Sequence, residues 1–294
     1  MVTNGYRSLG LFLVFFLFFP FMVNSADSTE KNEGMYVLYA DGPCQLHDAN
    51  QKLIFEGDGN KLEGEEIPIG GKLETGNKAK AILLQYPDMT RITVAPNSDF
   101  QFKNNHSIWT TLGKVWVKIS KPFFERSRFE VESPNAVAVA HGTAFEVAQG
   151  ENGSDVHVFE GNVELNNGSK SIFLKPGQYV AGARHGQHLV PKAFSAVKGN
   201  NPWWNWNLRR ETKFENFLQN HGKEFRQVLQ SRTLGKQERL NQVRGFMKQH
   251  GLTRQHLTQS FHPVEHQHPL PSWQPRNPGN VRSRPRKNRQ FFRK

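Results

Sequence analysis

The chain has 294 residues, with 38 Lys and Arg, 26 Asp and Glu, and one cysteine, Cys44. A single cysteine excludes an intramolecular disulfide, so a hydrophobic core must hold the fold together. We expect Cys44 to be an inert, partly buried side chain.

The two parts of the chain differ in charge. Residues 1–200 carry 19 Lys and Arg against 21 Asp and Glu, whereas residues 201–294 carry 19 against 5. Two parts that differ this much in charge are expected to have different physical roles.

The first residues have the layout of a secretory signal peptide. Arg7 precedes an apolar run over residues 9–23, and the small residues Ser25 and Ala26 follow the run. The run is shorter than the roughly 20 apolar residues that a membrane-spanning helix needs. We therefore predict a signal peptide over residues 1–25, an exported protein and no transmembrane span after cleavage. An uncleaved membrane anchor is the alternative.

Residues 35–198 have the pattern of many short strands. Apolar residues alternate at period two in short runs, and Gly, Asn, Asp or Pro stands between nearly every pair of runs. The runs begin at Val37, Ala79, Ile92, Val115, Phe129, Phe145, Val156, Val163 and Ile172. This pattern predicts a mainly β domain, built as a sandwich, barrel or solenoid, and argues against an α/β fold.

Two segments of this domain are repeated weakly. Residues 91–100 align with residues 171–180 through two inward aliphatic residues, a proline turn and a further apolar residue. Residues 113–117 align with residues 161–165 in the same way. Repeated strand–turn units are typical of stacked β-coils, and chance similarity among β segments is the other interpretation.

An ordered set of motifs in this domain resembles the periplasmic domain of the FecR family. Each motif alone is a common β-turn pattern, so the specificity lies in the order and spacing of the set. The motifs are LETG at 73–76, TRITVAPNS at 90–98, LGKVWV at 112–117, FEVESP at 129–134, HGTAFEV at 141–147, VFEGNV at 158–163 and LKPGQ at 174–178.

The resemblance implies a FecR-like β-solenoid or β-sandwich that acts by interaction and not as an enzyme. In the family, this domain usually belongs to a membrane-anchored regulator that relays a signal from an outer-membrane receptor to a sigma factor. We expect this chain to depart from that plan, without a cytoplasmic N-terminal segment able to hold a sigma factor. We expect a stand-alone module of the periplasm or cell envelope, in signalling or tethering, without a cofactor or metal.

Four residues at strand ends are predicted to shape turns. Gly142, Gly161 and Gly177 lie where strands begin or end, and Pro176 precedes Gly177. Such positions often require a positive φ or a close backbone approach, which only glycine meets without steric cost. We interpret all four as folding residues and not as a binding site.

A cupin-like metal-dependent enzyme is a less favoured alternative. Residues 156–161 and 174–178 superficially resemble the two sequence blocks of that fold. A metal centre needs imidazoles that converge on one ion, and residues two apart on a strand share a face. His157 has no histidine at 155 or 159, and the remaining histidines of the domain are scattered, at His141, His185 and His188.

Two acidic pairs invite comparison with the carboxylates of a glycosidase. Glu65 and Glu66 lie in a polar connector, and Glu130 and Glu132 alternate along one strand. Both pairs are more simply explained as solvated surface charges.

After residue 196 the pattern changes to that of helices. An apolar stripe at helical spacing comprises Phe214, Phe217, Leu218, Phe225, Val228 and Leu229. A second helix is predicted over residues 237–250, with a stop at Gly251 and Thr253 as the cap of a short third helix. We expect a helical extension over residues 203–260 that packs on the β domain. An amphipathic helix on a membrane surface is the alternative.

Three tryptophans stand at the start of the extension. Trp203, Trp204 and Trp206 are predicted to dock the helices onto the sheet, because aromatic side chains at a junction bury a large area. Stacking on sugar rings is the alternative. It gives a second class of function, a polysaccharide-binding envelope protein.

Residues 261–294 are rich in Pro, His and Arg and are expected to be a disordered basic tail. Its histidines, His262, His266 and His268, form at most a weak metal-binding group. The last 14 residues contain seven cations and no acid: Arg282, Arg284, Arg286, Lys287, Arg289, Arg293 and Lys294. We predict that these cations contact an anionic lipid or polymer surface of the envelope, beside an envelope protein as the partner of the folded part. No nucleic acid is expected in an exported protein, and a purely solubilising tail is the alternative.

Overall fold

A computed structural model of the protein describes residues 34–86, 88–120, 128–140, 142–195, 201–231 and 234–258. The predicted signal peptide, the predicted tail and His141 lie outside these residues. Strands form the first and larger part of the described chain, and helices form the last part. This order confirms the predicted mainly β fold with a helical extension.

The β domain contains seventeen strands in the described ranges. Most are short, and a 3-10 turn over Gly59–Leu62 separates the third from the fourth. The strands are β1 Gly34–Asp41, β2 Pro43–His47, β3 Leu53–Asp58, β4 Glu66–Ile67, β5 Lys72–Thr75, β6 Lys80–Tyr86, β7 Thr90–Val94, β8 Ser98–Asn104, β9 Ser107–Lys118, β10 Phe129–Glu132, β11 Val137–Ala140, β12 Ala144–Gly150, β13 Gly153–Glu160, β14 Val163–Asn166, β15 Ser171–Leu174, β16 Gln178–Ala183 and β17 Lys192–Ala193.

The strands pair into two layers that share one strand. Among the described strands, layer 1 has the order β4-β1-β6-β7-β9-β12-β13-β16-β17. Layer 2 has the order β3-β2-β5-β8-β9-β10-β11-β14-β15. Residues 107–112 of β9 belong to layer 2 and residues 113–118 to layer 1. The change of layer occurs at Gly113, whose φ of 85° lies in the left-handed region that favours glycine.

One hydrophobic core fills the space between the two layers. Its members come from the inward faces of both layers, for example Val37 and Phe145 from layer 1 and Phe100 and Leu165 from layer 2. The outward face of layer 2 carries polar residues at alternate positions, as in the burial of β5, β8 and β10. Layer 2 therefore shows the alternation of a sheet with one solvated face.

Three helices cover part of the outward face of layer 1. They are α1 Pro202–Leu229, α2 Lys236–Gln249 and α3 Arg254–Thr258. Asn201 caps α1 by accepting hydrogen bonds from two backbone N–H groups, and Pro202 occupies its first turn. The predicted apolar stripe packs on this face, where Phe214, Phe217, Leu218, Phe225 and Leu229 join a second hydrophobic core. No helix in the described ranges is both long and apolar enough to span a membrane.

The covered strands of layer 1 do not alternate in burial. Every described residue of β6 and β7, and nearly every residue of β1, is buried. One face of each strand lies on the inner core and the other lies under the helices. A strand with two covered faces has a continuous run of apolar residues, and the sequence MYVLYA of β1 is such a run.

Each of the two repeated segments connects the two layers through a proline turn, and the two connections run in opposite directions. In residues 91–100 the chain passes from β7 in layer 1, through a turn at Pro96, to β8 in layer 2. Residues 171–180 leave layer 2 in β15, turn at Pro176 and enter layer 1 in β16. In both places a proline turn carries the chain from one layer to the other.

Candidate interaction surface

Five aromatic side chains lie together at the far end of layer 1, and we call them the aromatic cluster. His157 and Phe159 come from β13, Tyr179 from β16, Phe194 from the residue after β17 and Trp204 from the first turn of α1. The His157 ring is stacked on Tyr179, with centroids 4.9 Å apart, and the Trp204 centroid is 5.0 Å from His157. The ring centroid of Phe194 lies 5.2 Å from that of Phe159 and 5.2 Å from that of Trp204. All five side chains are half-buried, so the cluster presents a partly exposed aromatic surface.

A buried carboxylate on β12 fixes one edge of this surface. Glu146 accepts hydrogen bonds from the indole Nε1 of Trp203 at 2.6 Å and of Trp204 at 3.1 Å. Its other oxygen lies 3.6 Å from Nδ1 of His157 and 3.7 Å from Nζ of Lys114. A buried carboxylate is stable only with such donors around it. Glu146 therefore sets the orientation of Trp204 and joins α1 to the sheet.

His157 is a packing residue of the cluster in its neutral form. Burial lowers the pKa of the imidazole, although the Glu146 carboxylate acts in the opposite direction. A histidine with a lowered pKa is uncharged at neutral pH. The neutral ring is the form that stacks on Tyr179.

A second buried polar group attaches the middle of α1 to layer 1. Glu211 of α1 forms an ion pair with Arg91 of β7 and accepts a hydrogen bond from Trp116 Nε1 at 2.9 Å. The side chains of Arg91 and Glu211 are only 2% and 5% exposed. The preceding residue, Arg210, donates a hydrogen bond to Thr93 Oγ1 at 2.8 Å. These contacts fix the register of α1 on the sheet.

Arg91 and Arg210 are both buried, and the loss of their hydration has a free-energy cost that contacts in the interface must offset. Burial lowers the pKa of Arg91 and lowers that of Arg210 well below its ordinary value. An arginine beside a carboxylate nevertheless keeps its proton at neutral pH, and Arg91 has Glu211. The Arg210 guanidinium lies 3.8 Å from the ring centroid of Trp206, a cation–π contact that is stronger away from water.

The acidic segment before β4 binds the other two helices. Lys236 Nζ lies 2.5 Å from Glu65, and Arg239 Nη1 lies 2.5 Å from Glu66. The buried Glu63 pairs with arginines of α2 and α3. Glu65 and Glu66 are partly exposed, in agreement with the expectation of solvated charges. Each also pairs with a cation more than 170 residues away in the sequence, and the local pattern did not show this.

The second acidic pair lies on the outward face of layer 2. Glu130 is 2.7 Å from Arg128, and Glu132 is 2.6 Å from Lys103. Both glutamates are half-buried. Each is thus part of a surface ion pair, of the kind that contributes little to stability.

The three predicted tryptophans have different positions. Trp203 and Trp206 are buried in the contact between α1 and layer 1, with ring centroids 5.5 Å apart. Trp204 alone is half-buried, as a member of the aromatic cluster. Buried rings cannot stack on a sugar while the helix is docked, so Trp204 is the one ring of the three that glycan stacking would use.

The predicted turn glycines take left-handed backbone conformations. The φ angles are 61° at Gly142, 69° at Gly161 and 78° at Gly177, and Pro176 lies in the turn between β15 and β16. The seven cations of residues 281–294 lie outside the described residues.

Within the ranges that the structure describes, no group of three or more His, Cys, Asp or Glu side chains is placed to hold a metal ion. His157 has Glu146 and aromatic rings as neighbours, and His185 contacts the backbone near Gly168. The part of the β domain that aligns with the cupin blocks therefore brings no imidazoles together. His262, His266 and His268 lie outside these ranges.

The comparisons with known proteins agree with this architecture. Residues 71–164 match the family model described as FecR protein. This match confirms the resemblance to the FecR family that the sequence motifs predicted. The matched range runs from the residue before β5 into β14 and includes β9. The strands on either side of this range, β1–β4 and β15–β17, continue the two layers of the matched region.

Two crystal structures of a proposed anti-sigma factor from Parabacteroides distasonis, at 1.65 and 2.50 Å resolution, resemble this chain. Both are 16% identical in sequence, with TM-scores of 0.38 and 0.37. The matches cover 47% and 48% of this chain, and 64% and 72% of the two solved chains. This chain thus spans less than two thirds of the first structure. No curated protein matches the chain.

Proposed function

We propose that the chain is an exported, non-enzymatic module of the cell envelope whose FecR domain binds a protein partner through the aromatic cluster. The match of residues 71–164 to the FecR family carries this proposal, because the family is regulatory and not enzymatic. The predicted signal peptide supports export to the envelope.

The aromatic cluster has the properties of a protein-binding surface. Aromatic side chains are enriched at the centres of protein interfaces, where they bury much area with little loss of conformational entropy. Tyr179 and Trp204 combine an apolar ring with a polar group, and Glu146 already fixes the Trp204 ring. A surface held in one orientation before binding has a smaller ordering cost to offset.

Site-specific photo-crosslinking in intact cells tests the partner. A benzophenone amino acid replaces Phe194 of the aromatic cluster in one variant and Phe173 of β15 in the control variant. Phe173 is also aromatic and is 69% exposed, but it lies on an edge strand of layer 2. We expect one discrete crosslinked protein from position 194 and none of that mass from position 173. Tyr179→Ala should weaken the crosslink.

The same experiment can contradict the proposal. Identical products from both positions, or no protein product from position 194, would show that the cluster is not the contact surface. A product that stains for carbohydrate would favour the polysaccharide-binding alternative, which the half-exposed Trp204 ring supports.

We further propose that residues 281–294 tether the protein to an anionic envelope surface. The support is their composition, since each cation near such a surface contributes on the order of 1 kcal/mol. We expect co-sedimentation with anionic vesicles that weakens as salt rises, and no co-sedimentation with neutral vesicles. Binding that survives deletion of residues 281–294 would refute the tether.

A further inference from the structure

A cavity of about 430 Å³ opens where α2 and α3 meet β1, outside the aromatic cluster. Its apolar floor consists of Leu38 from β1, Met247 from α2, Leu252 from the turn that follows α2 and Leu257 from α3. All four side chains are buried. The volume is within the range of roughly 300–1,000 Å³ that is common for small-molecule sites, and such sites combine an apolar lining with a few polar groups.

The polar groups at this cavity carry an excess of positive charge. Arg244, Lys248 and Arg254 line it together with one carboxylate, Glu63. Glu63 pairs with Arg244 through one oxygen and with Arg254 through the other, at 2.9 Å. Three cations and one carboxylate leave a net charge of +2 at the rim. The cavity is therefore electrostatically suited to an anion.

The two arginines are held in place but keep N–H donors that can bind a ligand. Arg254 donates to Asn60 Oδ1 at 2.6 Å and lies 5.0 Å from the centroid of the Tyr39 ring. Glu63 accepts hydrogen bonds from both arginines, and this raises the pKa of Arg254. The arginine side chains remain 44% and 49% exposed. A guanidinium has five N–H donors, so donors remain for an incoming oxyanion.

We propose that this cavity binds a small amphipathic anion, with an aliphatic or aromatic body on the apolar floor and a carboxylate, phosphate or sulfate group at Arg244, Lys248 and Arg254. The inference stands apart from the proposed protein partner, because it uses a different surface. The cavity walls come from both the β domain and the helices. A bound ligand would consequently stabilise the docked helical extension by mass action.

Octanoate is a suitable probe, because it has one carboxylate and a short aliphatic body. In isothermal titration of the purified protein we expect saturable binding with one site per chain. Acetate, which lacks the apolar body, and octylammonium, which reverses the charge, should each bind at least about tenfold more weakly, as loss of the apolar contact or of the charge pairing implies. Octanoate should also raise the thermal unfolding temperature.

Variants locate the site. Lys248→Gln changes an exposed side chain, so we expect an unchanged unfolding temperature and an octanoate Kd raised about three- to tenfold. Arg244→Gln should raise the Kd at least as much. Lys223→Gln, an exposed cation on α1 that does not line the cavity, is the matched control and should leave the Kd unchanged.

Three results would each overturn this proposal. They are no saturable binding of octanoate, equal binding of octanoate and octylammonium, or a Kd that neither Lys248→Gln nor Arg244→Gln changes. Binding of the protein and its variants to anionic phosphatidylglycerol vesicles is a further test. Vesicle binding that depends on Arg244 and Lys248, without binding of free octanoate, would assign the cations to lipid head groups and would also refute a soluble ligand.

Discussion

Glu211→Ala is expected to destabilise the protein by about 3–5 kcal/mol, the usual cost of breaking a buried ion pair from one side. The substitution leaves the buried guanidinium of Arg91 without its carboxylate and the indole N–H of Trp116 without its acceptor. Equilibrium unfolding in urea measures the change. Tryptophan fluorescence is the appropriate signal, because Trp116, Trp203 and Trp206 are buried at or beside this contact.

Two further variants separate the ion pair from general damage to α1. Glu224 is exposed on the same helix, so Glu224→Ala should change stability by less than about 0.5 kcal/mol. Replacing both partners, in Arg91→Met with Glu211→Leu, removes the buried charges together and should cost less than Glu211→Ala alone. If Glu211→Ala unfolds at the same urea concentration as the wild type, the ion pair does not hold the helix.

Gly113→Ala is expected to have the other large effect, about 2–5 kcal/mol. Its φ of 85° costs an L-residue roughly 1–2 kcal/mol, and forcing an atom into a packed site adds about 1–3 kcal/mol. An added Cβ would lie 2.2 Å from Ser98 Oγ and 2.5 Å from Ser98 Cα, and the second of these atoms is backbone. Thermal and urea unfolding both measure the loss.

Substitutions at two other glycines separate the backbone strain of Gly113→Ala from its steric contact with Ser98. Gly177 has a similar φ of 78°, but the nearest atom to an added Cβ is Phe194 O at 3.6 Å, so Gly177→Ala should show the backbone strain alone. A Cβ added at Gly150 would meet no atom within 4 Å apart from its chain neighbours, and the residue has no positive φ. Gly150→Ala should therefore be nearly neutral. Equal losses for Gly113→Ala and Gly177→Ala would mean that the contact with Ser98 relaxes at no cost.

The period-two pattern located strands with one covered face and also strands with two, such as β1, β6 and β7. In β10, β13 and β14 the inward residues alternate with half-exposed or exposed ones, and the period-two pattern located all three. It omitted β8, although Phe100 and Phe102 alternate there with Asp99 and Gln101. The pattern alone could not show that layer 1 has a second covered face, since the helices that cover it lie far away in the sequence, 57 residues for the contact of Glu146 with Trp203 and 95 for that of Trp116 with Glu211.

The charged residues of the helix–sheet contact were not predicted, because each partner is distant in sequence. Arg91 stands in an apolar strand and Glu146 in another, and a charge in such a place is a sign of a buried partner. The spacing of α1 carries a similar sign. Trp203, Trp206, Arg210, Glu211 and Phe214 fall on one helical face at steps of three, four, one and three. The sequence analysis assigned the tryptophans to helix docking and the apolar stripe to residues from Phe214 onward, so Arg210 and Glu211, which lie between them, were not assigned to this face.

The position of β9 has a consequence for how the domain can respond to a partner. β9 is the fifth of nine described strands in both layers, with four strands on either side of it in each. Neither half of the chain can separate from the other without breaking β9 pairings in both layers at once. The pairings of β9 thus oppose relative motion of the two halves in both layers.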